Sequence, residues 1–305
     1  MQLGFFTHPF PDLSLEEVAT WASDNGFDTL ELACWPLDYV DLYVRATHID
    51  VTTITKETSS EIRDMLSSRG IGISALSYYS NPLDPDPEVR NIAIEHLGKL
   101  MRAAEMLKVP TITTFVGRDS RMNLDDSFDQ FRQTWPELVK QASEHGVQIA
   151  IENAPLTSYW PHQWPGGENL ASAPHIWRRM FDIIPDEHFG LNLDPSHLIL
   201  QMIDYLRVVD DFGDRILHIH AKDETLDQDG LYEYGAFDLG LHTHIGKVPG
   251  RGDIDWSAFI GRLHDVGYEG AISIELEDAT FERDDIEWKK RGLLIGRDVL
   301  RPYVK

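Results

Sequence analysis

Aliphatic and polar residues alternate in residues 189–194, and Pro195 closes the segment. In an extended strand, successive side chains point to opposite faces, so Asn192 and Asp194 fall on the face opposite the neighbouring leucines. A proline cannot continue a strand ladder, so the strand should end there. The pattern therefore predicts a strand that carries Asp194 at its carboxyl end, with His197 in the turn just beyond.

Three further aliphatic segments have the same pattern. They place Glu152, His220 and Glu275 on the face opposite the aliphatic side chains, near the end of each predicted strand. Taken singly, each is typical of a strand that ends in a turn or a salt bridge. Four such strands, each ending in a group that can bind a metal ion, indicate a shared site.

The same patterns predict strands and helices in regular alternation along the whole chain. The predicted strands are 3–7, 27–33, 71–78, 109–116, 147–152, 189–194, 215–223 and 271–278. The predicted helices are 14–25, 58–69, 87–108, 126–145, 173–183, 199–210, 255–267 and 288–300. Residues 37–55 are predicted to be a long loop that holds His48, and residues 224–251 an insertion after the seventh strand.

Alternating strands and helices predict an α/β fold with a parallel sheet. Eight such units in 305 residues favour a single-domain (β/α)₈ TIM barrel that spans residues 1–305. A doubly wound open sheet is the alternative. That fold usually has a glycine-rich turn after its first strand, and the segment from Thr7 to Phe10 contains no glycine.

The charge balance limits the partners. The chain has 27 Lys and Arg against 51 Asp and Glu, a net charge of −24, so we expect neither nucleic acid nor membrane as a partner. One cysteine, Cys34, rules out an intramolecular disulfide and suits a reducing compartment. Residues 1–7 have the pattern of a strand rather than of a signal peptide. These features predict a cytoplasmic protein.

In a barrel, the carboxyl ends of all strands meet at one rim, where active sites lie. Glu152, Asp194, His220 and Glu275 should therefore converge there. Three carboxylates and one imidazole suit one divalent ion: manganese is the preferred choice, with magnesium, cobalt or zinc as alternatives. Separate strand-end salt bridges are the competing interpretation.

Five motifs, in this order, resemble the sugar phosphate isomerase/epimerase family of xylose-isomerase-like TIM barrels, and the resemblance covers essentially the whole chain. They are Ile151-Glu152-Asn153, the segment 192–197, the segment 218–223, the segment 249–256 and Ser273-Ile274-Glu275.

The resemblance implies that Glu152, Asp194, His220 and Glu275 are the metal ligands. It also implies that Glu152 and Glu275 face each other across the substrate as acid and base, and that His197 binds substrate. From the strand pattern, His218 and Lys222 share the inward face with His220. They either reach the substrate or form a hydrogen-bond network at the rim.

The chain departs from two groups of related enzymes. Ketose 3-epimerases of this group carry an arginine six positions after the metal-binding histidine, where this chain has Leu226. The apurinic-site endonucleases with this fold need extra histidines on the third and fourth strand ends, and here tyrosines (78, 79) and threonines (113, 114) stand there. A trinuclear zinc site for DNA repair is therefore not expected.

The loops add candidate substrate contacts. Trp35 and Trp160, with Trp164, are candidates for an apolar wall against a sugar ring, although packing within the loops is the other interpretation. Arg251 either binds an anionic group of the substrate or neutralises Asp253. The aromatic insertion 224–251 is expected to form either a lid over the site or a subunit contact.

Three functions follow. The first is a metal-dependent sugar isomerase or epimerase that removes the proton alpha to a carbonyl and passes through an enediolate. The second uses the same proton removal for β-elimination, as in lyases that cleave 3-keto-glycosides, including C-glycosides, often with a partner subunit. The third is a sugar-binding module. The expected partner is a small sugar or keto-sugar, and the protein is expected to form a homo-oligomer or a hetero-oligomer.

Overall fold

The computed structural model describes residues 1–37, 46–156, 167–236, 243–283 and 285–304. Eight parallel strands form a closed barrel: β1 (Gln2–Phe6), β2 (Thr29–Ala33), β3 (Gly72–Ser77), β4 (Thr111–Thr114), β5 (Gln148–Glu152), β6 (Phe189–Leu193), β7 (Ile216–Ala221) and β10 (Ala271–Ile274). Neighbouring strands along the chain pair with each other, and β10 pairs with β1 to close the barrel. The predicted TIM barrel is confirmed.

Helices follow the barrel strands, and most of them bury an apolar face, whereas the helix within the insertion after β7 buries only Gly230. They are α1 (Leu15–Asp24), α2 (Lys56–Ser67), α3 (Pro87–Leu107), α4 (Leu124–Glu144), α5 (Pro174–Ile183), α6 (Ser196–Leu200), α7 (Tyr205–Phe212), α8 (Gln228–Tyr234), α9 (Trp256–Asp265) and α10 (Ile286–Leu300). Within the described ranges, no helix is long and apolar enough to cross a membrane.

Polar side chains cap several of the helices. The Ser14 side chain accepts a hydrogen bond from the Glu17 backbone N–H, and the Glu17 carboxylate accepts one from the Ser14 backbone N–H, a capping box that starts α1. Asn123 caps α4 and Asp285 caps α10 through a side-chain oxygen that accepts from a backbone N–H. Because these side chains satisfy free N–H groups of the first turn, the three helices have defined starting points.

The region after β6 differs from the prediction of one helix over 199–210. The structure has the short α6, a break, and then α7. Met202 in the break has a φ of 57°, a left-handed conformation that a helix cannot contain. Asp204 then caps α7 through hydrogen bonds from two backbone N–H groups. The single predicted helix was therefore wrong, because the apolar periodicity continues across a backbone reversal.

The insertion after β7 contains an ordered hairpin. Strand β8 (Asp223–Leu226) pairs antiparallel with β9 (His244–Lys247), and α8 lies between them. The buried Asp223 carboxylate anchors its base, accepting hydrogen bonds from the Gly250 and Ile254 backbones and from the Trp256 ring nitrogen. The predicted insertion therefore has two parts. The paired strands β8 and β9 form a base that is attached to the barrel, and residues 227–243 between them form a tip, whose Tyr232 is 89% exposed.

The projecting tip should be separable from the barrel. Leu226 and His244 are opposed in the hairpin, so a two-residue Asn-Gly turn can replace residues 227–243. We expect this variant to fold with a near-wild-type melting temperature and reduced activity. Deleting all of 224–251 should destabilise the barrel, because Asp223 would lose buried donors. Circular dichroism melting compares the two variants, and unfolding of the shorter deletion would contradict the division into base and tip.

Candidate active site

Four predicted ligands converge at the carboxyl-terminal rim of the barrel. Glu152 is the last residue of β5, Asp194 follows β6, His220 lies near the end of β7 and Glu275 follows β10. Ligand atoms of all four lie within 4.8 Å of one another, and all four side chains are buried. Ions that bind donors at roughly 2.0–2.6 Å can be reached by donors about 5 Å apart. The geometry therefore fits one divalent ion.

The state of Asp194 supports this fit. Its Oδ1 accepts a hydrogen bond from the Ser196 backbone, but its buried Oδ2 has no hydrogen-bond partner within the part of the chain that the structure describes. The nearest cationic atoms are Lys222 Nζ at 3.3 Å and His197 Nε2 at 3.4 Å. A buried carboxylate oxygen without a hydrogen bond is costly. An ion held by the four side chains would satisfy it.

Two asparagines fix the ends of β5 and β6. The Asn153 amide donates to the Asp194 carbonyl at 2.9 Å and accepts from the Asp194 backbone N–H at 2.7 Å. The Asn169 amide donates to the carbonyls of Glu152 and Ala154. These four hydrogen bonds hold the backbone where β5 and β6 end, and so help to set the positions of the Glu152 and Asp194 carboxylates.

A fifth carboxylate, Glu31 on β2, was not predicted. His220 Nε2 lies 2.9 and 3.1 Å from its two oxygens, and the hydroxyls of Ser77, Tyr79 and Thr113 also donate to it. Burial disfavours the charge of Glu31, but His220 and these hydrogen bonds hold the pKa of Glu31 well below its usual range. Glu31 is thus a buried anion that accepts a hydrogen bond from Nε2 of the His220 ring.

This contact orients the other nitrogen of His220. Its Nδ1 lies 3.4 Å from Glu152 Oε1 and 3.4 Å from Glu275 Oε2. Burial opposes a charge on this ring, but Glu31, Glu275 and Glu152 raise the pKa of His220 well above its usual value, so both ring nitrogens carry a proton when the site holds no ion. Because the Glu31 carboxylate only accepts, it keeps the proton on Nε2, and Nδ1 is the nitrogen that would lose its proton to bind an ion. A carboxylate behind a metal-binding histidine is a recurrent support that fixes the tautomer.

His218 belongs to a hydrogen-bond network and not to the ligand cluster. Its Nδ1 lies 3.0 Å from Asn192 Oδ1, and its Nε2 lies 3.3 Å from Ser74 Oγ. Burial lowers the pKa of His218 to about 4, so the ring is neutral at pH 7. Glu31, His218 and His220 also come within 4.8 Å of one another. Their facing atoms already have partners, which argues against a second ion there.

Lys222 and His197 lie on the opposite side of the cluster. Lys222 Nζ is 2.9 Å from Glu275 Oε2 and 2.9 Å from Glu277 Oε2. Burial opposes the charge, but Glu275 and Glu277 raise the pKa of Lys222 well above its usual value. His197 Nε2 is 3.2 Å from Lys222 Nζ and 3.4 Å from Glu152 Oε1. Both residues are therefore placed where a substrate next to the glutamates would touch them.

A cavity with two lobes opens over the cluster. The aromatic lobe, about 450 Å³, is lined by Phe6, His8, Trp35, Tyr79 and Phe115. The polar lobe, about 440 Å³, is lined by His197, Lys222, Glu224 and His244. Glu152, Glu275, Phe115, Leu156, Glu277 and Glu282 line both lobes. The two opposed glutamates therefore lie where the lobes meet.

The remaining predicted substrate contacts differ in whether they reach the cavity. Trp35 is buried and lines the aromatic lobe. Arg251 is exposed and lines neither lobe, and its guanidinium lies over the Phe281 ring at 5.3 Å from the centroid. Trp160, with Trp164, lies outside the described residues. The structure thus brings Trp35 to the site and directs Arg251 elsewhere.

Comparison with known proteins identifies the family to which this barrel belongs. The family model for the xylose isomerase-like TIM barrel matches residues 19–300. The chain belongs to this family. The chain is 26% identical to an uncharacterized Bacillus subtilis protein, YfiH, over 92% of this chain and 94% of that protein.

Two other relatives of the present chain have names that describe a reaction. An inosose dehydratase from Lacticaseibacillus casei is 29% identical, but the match covers only 54% of this chain and 52% of the relative. A D-psicose 3-epimerase from Enterocloster bolteae is 24% identical over 82% of this chain and 72% of the relative. Relatives of one fold thus include an enzyme named for dehydration and one named for epimerisation.

Solved structures share the fold. The IolI protein, solved with a bound zinc atom, superimposes with a TM-score of 0.68 and 18% identity over 99% of this chain and 96% of that one.

Removing the histidine ligand should abolish metal binding. We expect stoichiometric metal in the wild-type protein and a sub-stoichiometric amount in His220→Ala, because the cluster loses its one nitrogen donor. His218→Gln is the matched control, since His218 lies on the same face of the same strand but bonds to Asn192 and Ser74. Elemental analysis after dialysis measures both, and full retention of metal by His220→Ala would rule out this ligand set.

Removing the support behind the histidine should weaken metal binding without removing a ligand. Loss of such a partner typically costs roughly 10- to 100-fold in metal affinity. We expect Glu31→Ala to lie in that range, and Glu31→Gln to lose less, because the amide oxygen still accepts from Nε2. Calorimetric titration with Mn²⁺ measures the affinities. An unchanged affinity in Glu31→Ala would contradict the orienting role.

Proposed function

We propose that the protein is a divalent-metal-dependent sugar isomerase or epimerase that removes the proton alpha to a carbonyl. One observation carries this proposal: Glu152 and Glu275 are buried, line both lobes of the cavity and flank the same imidazole at 3.4 Å. Two carboxylates that face one enclosed space can exchange protons with a small molecule bound between them.

Both glutamates are held ionised by their surroundings. Burial opposes the charge of Glu275, but Lys222 and then His220 hold its pKa well below the usual value. Burial and Glu275 both oppose ionisation of Glu152, yet His220 and His197 keep its pKa below the usual value. Ionised carboxylates can accept a proton, so either glutamate can act as the base.

The ion would be held by Glu152, Asp194, His220 and Glu275, and it would supply the Lewis acidity that makes a proton next to a carbonyl removable. One glutamate takes that proton, leaving an enediolate, and the proton exchanges with solvent on the carboxyl group. Delivery of a proton by the same glutamate to the former carbonyl carbon, while the hydroxyl proton passes to the former carbonyl oxygen, gives isomerisation. Delivery to the original carbon from the opposite face gives epimerisation: the other glutamate makes it after taking a proton from solvent, and the first glutamate releases its proton to solvent.

The ligand atoms of the site favour particular metal ions. Three carboxylates and one imidazole form an oxygen-rich set that favours manganese, with magnesium, cobalt and zinc as the ions to compare. The IolI zinc site supports the presence of an ion in this fold and leaves its identity to measurement. We further propose a cytoplasmic enzyme that acts on small sugars as an oligomer.

A second candidate is a lyase that uses the same proton removal for β-elimination, for example from 3-keto-glycosides. Leu226, in β8, offers no charged contact where the related 3-epimerases carry arginine. His197 and Lys222 could donate a proton to a leaving group, because Asp194 and Glu152 raise the pKa of His197 against the opposing effects of burial and Lys222. The dehydratase relative supports elimination as an outcome in this family.

Amide substitutions should remove the base while keeping the shape. We expect Glu152→Gln and Glu275→Gln each to lower kcat by roughly 10²- to 10⁴-fold. Glu224→Gln is the comparison: Glu224 lines the polar lobe but lies outside the ligand cluster, so we expect its substitution to change KM and to leave kcat within about threefold of the wild-type value. Steady-state assays on free ketoses and on 3-keto-glycosides compare the variants. Wild-type turnover in either glutamine variant with metal bound would refute the assignment.

The products separate the two candidates. Isomerisation or epimerisation conserves the molecular formula, whereas elimination releases the leaving group and an unsaturated keto-sugar. Mass spectrometry of the reaction mixture distinguishes them. Binding without turnover of either substrate class would favour a sugar-binding module instead.

A further inference from the structure

The aromatic lobe exceeds what the proposed chemistry requires. The catalytic pair lies at the junction, and the polar lobe alone, at about 440 Å³, offers a sugar the carboxylates and cations that hydroxyl groups need. The aromatic lobe adds about 450 Å³ on the other side of the pair. Each volume by itself lies within the range of roughly 300–1,000 Å³ that small-molecule pockets occupy.

Flat aromatic surfaces line this lobe. The Tyr79 ring lies 4.8 Å from Phe115, 5.8 Å from Phe6 and 6.1 Å from Trp35, measured between ring centroids. Valine and isoleucine side chains of α3, Val89 and Ile92, continue the apolar lining outward. Such a wall suits a flat apolar group, because aromatic rings gain from stacking as well as from burial.

Charge restricts what can enter. The lining of the lobe includes Asp84, Glu168, Glu277 and Glu282, and its described lining residues include no lysine or arginine. Burial, and then Glu277 and Glu275, raise the pKa of Glu282 to about 7, a sign of how unfavourable another negative charge is here. A phosphate or carboxylate on the bound group would be repelled by these carboxylates. The lining therefore excludes an anionic group.

We propose that the aromatic lobe is a second subsite, which binds a non-anionic aromatic aglycone attached to the sugar that occupies the polar lobe. The substrate class is then an aryl glycoside. This proposal rests on the proposed function for the placement of the sugar. It deepens that function by naming what the sugar carries.

Equilibrium binding tests the subsite without any turnover. The metal-loaded protein is titrated calorimetrically with 4-nitrophenyl β-D-glucopyranoside and with methyl β-D-glucopyranoside, which has the same sugar without the ring. We expect the aryl glycoside to bind at least about tenfold more tightly, because ring burial and stacking together contribute more than the free energy of a tenfold change.

Two variants locate the effect. Trp35→Ala removes part of the wall, and Ile92→Trp fills the outer end of the lobe from a helix position that is 41% exposed, where folding tolerates the larger side chain. Each should reduce the ratio of aryl to methyl affinity by at least about fivefold. Tyr303→Trp, at a comparably exposed site that lines neither lobe, controls for an added indole.

The outcomes are separable from those of the proposed function. Equal affinity for the two glycosides, binding of neither, or an unchanged ratio in both variants would overturn the subsite. A preserved aryl preference in an enzyme that fails to exchange the alpha proton would refute the chemistry and leave the subsite standing. A ratio that falls in Ile92→Trp alone still supports it, since Trp35→Ala can fail by unfolding.

Discussion

Three carboxylates buried within a few ångströms of one another are the constraint around which this molecule is built. Glu152, Asp194 and Glu275 would repel one another and lose hydration in a closed barrel rim, and such groups persist only when cations or donors compensate them. His220 and Lys222 supply positive charge from β7 and the residue after it. The Asp194 oxygen without a hydrogen bond marks the place where that compensation is incomplete.

The barrel explains how such a costly cluster can be held. Four different strands contribute one ligand each, so no single flexible loop determines the arrangement. Asn153 and Asn169 bond the backbone where β5 and β6 end, and Glu31 holds the far side of the His220 ring. Rigid elements with bonded supports are what positions a catalytic constellation accurately. The segments that follow the strands, together with the hairpin, then surround the rim and shape the two lobes.

Sequence reasoning predicted the barrel and the convergence of the four candidate ligands, because both depend on period-two alternation and on where strands stop. The same alternation is present around Glu31, between Leu30 and Leu32, but a single strand with an inward carboxylate has no partner visible in the sequence. Its role comes from contacts made across the barrel, with His220 lying 189 positions away.

Other differences between the prediction and the structure arise where the direction of a side chain or the handedness of the backbone determines the result. Arg251 follows the hairpin base, and its guanidinium lies over the Phe281 ring instead of in the cavity. The spacing of residues in the sequence does not determine which way this side chain points. Met202 breaks the predicted helix by a left-handed backbone that apolar periodicity cannot reveal. The two lobes depend on residues from β1, β3, β4 and the hairpin together, and only the folded structure brings these into one cavity.

The central claim is that a buried glutamate removes a proton from carbon, and solvent exchange measures this most directly. The metal-loaded enzyme is incubated with a keto-sugar in D₂O, and deuterium at the carbon next to the carbonyl is followed by NMR. The account predicts that deuterium enters this position at a rate at least equal to turnover. Product that forms with its original hydrogen carried intact between carbons would mean a hydride shift, and would contradict the role of both glutamates.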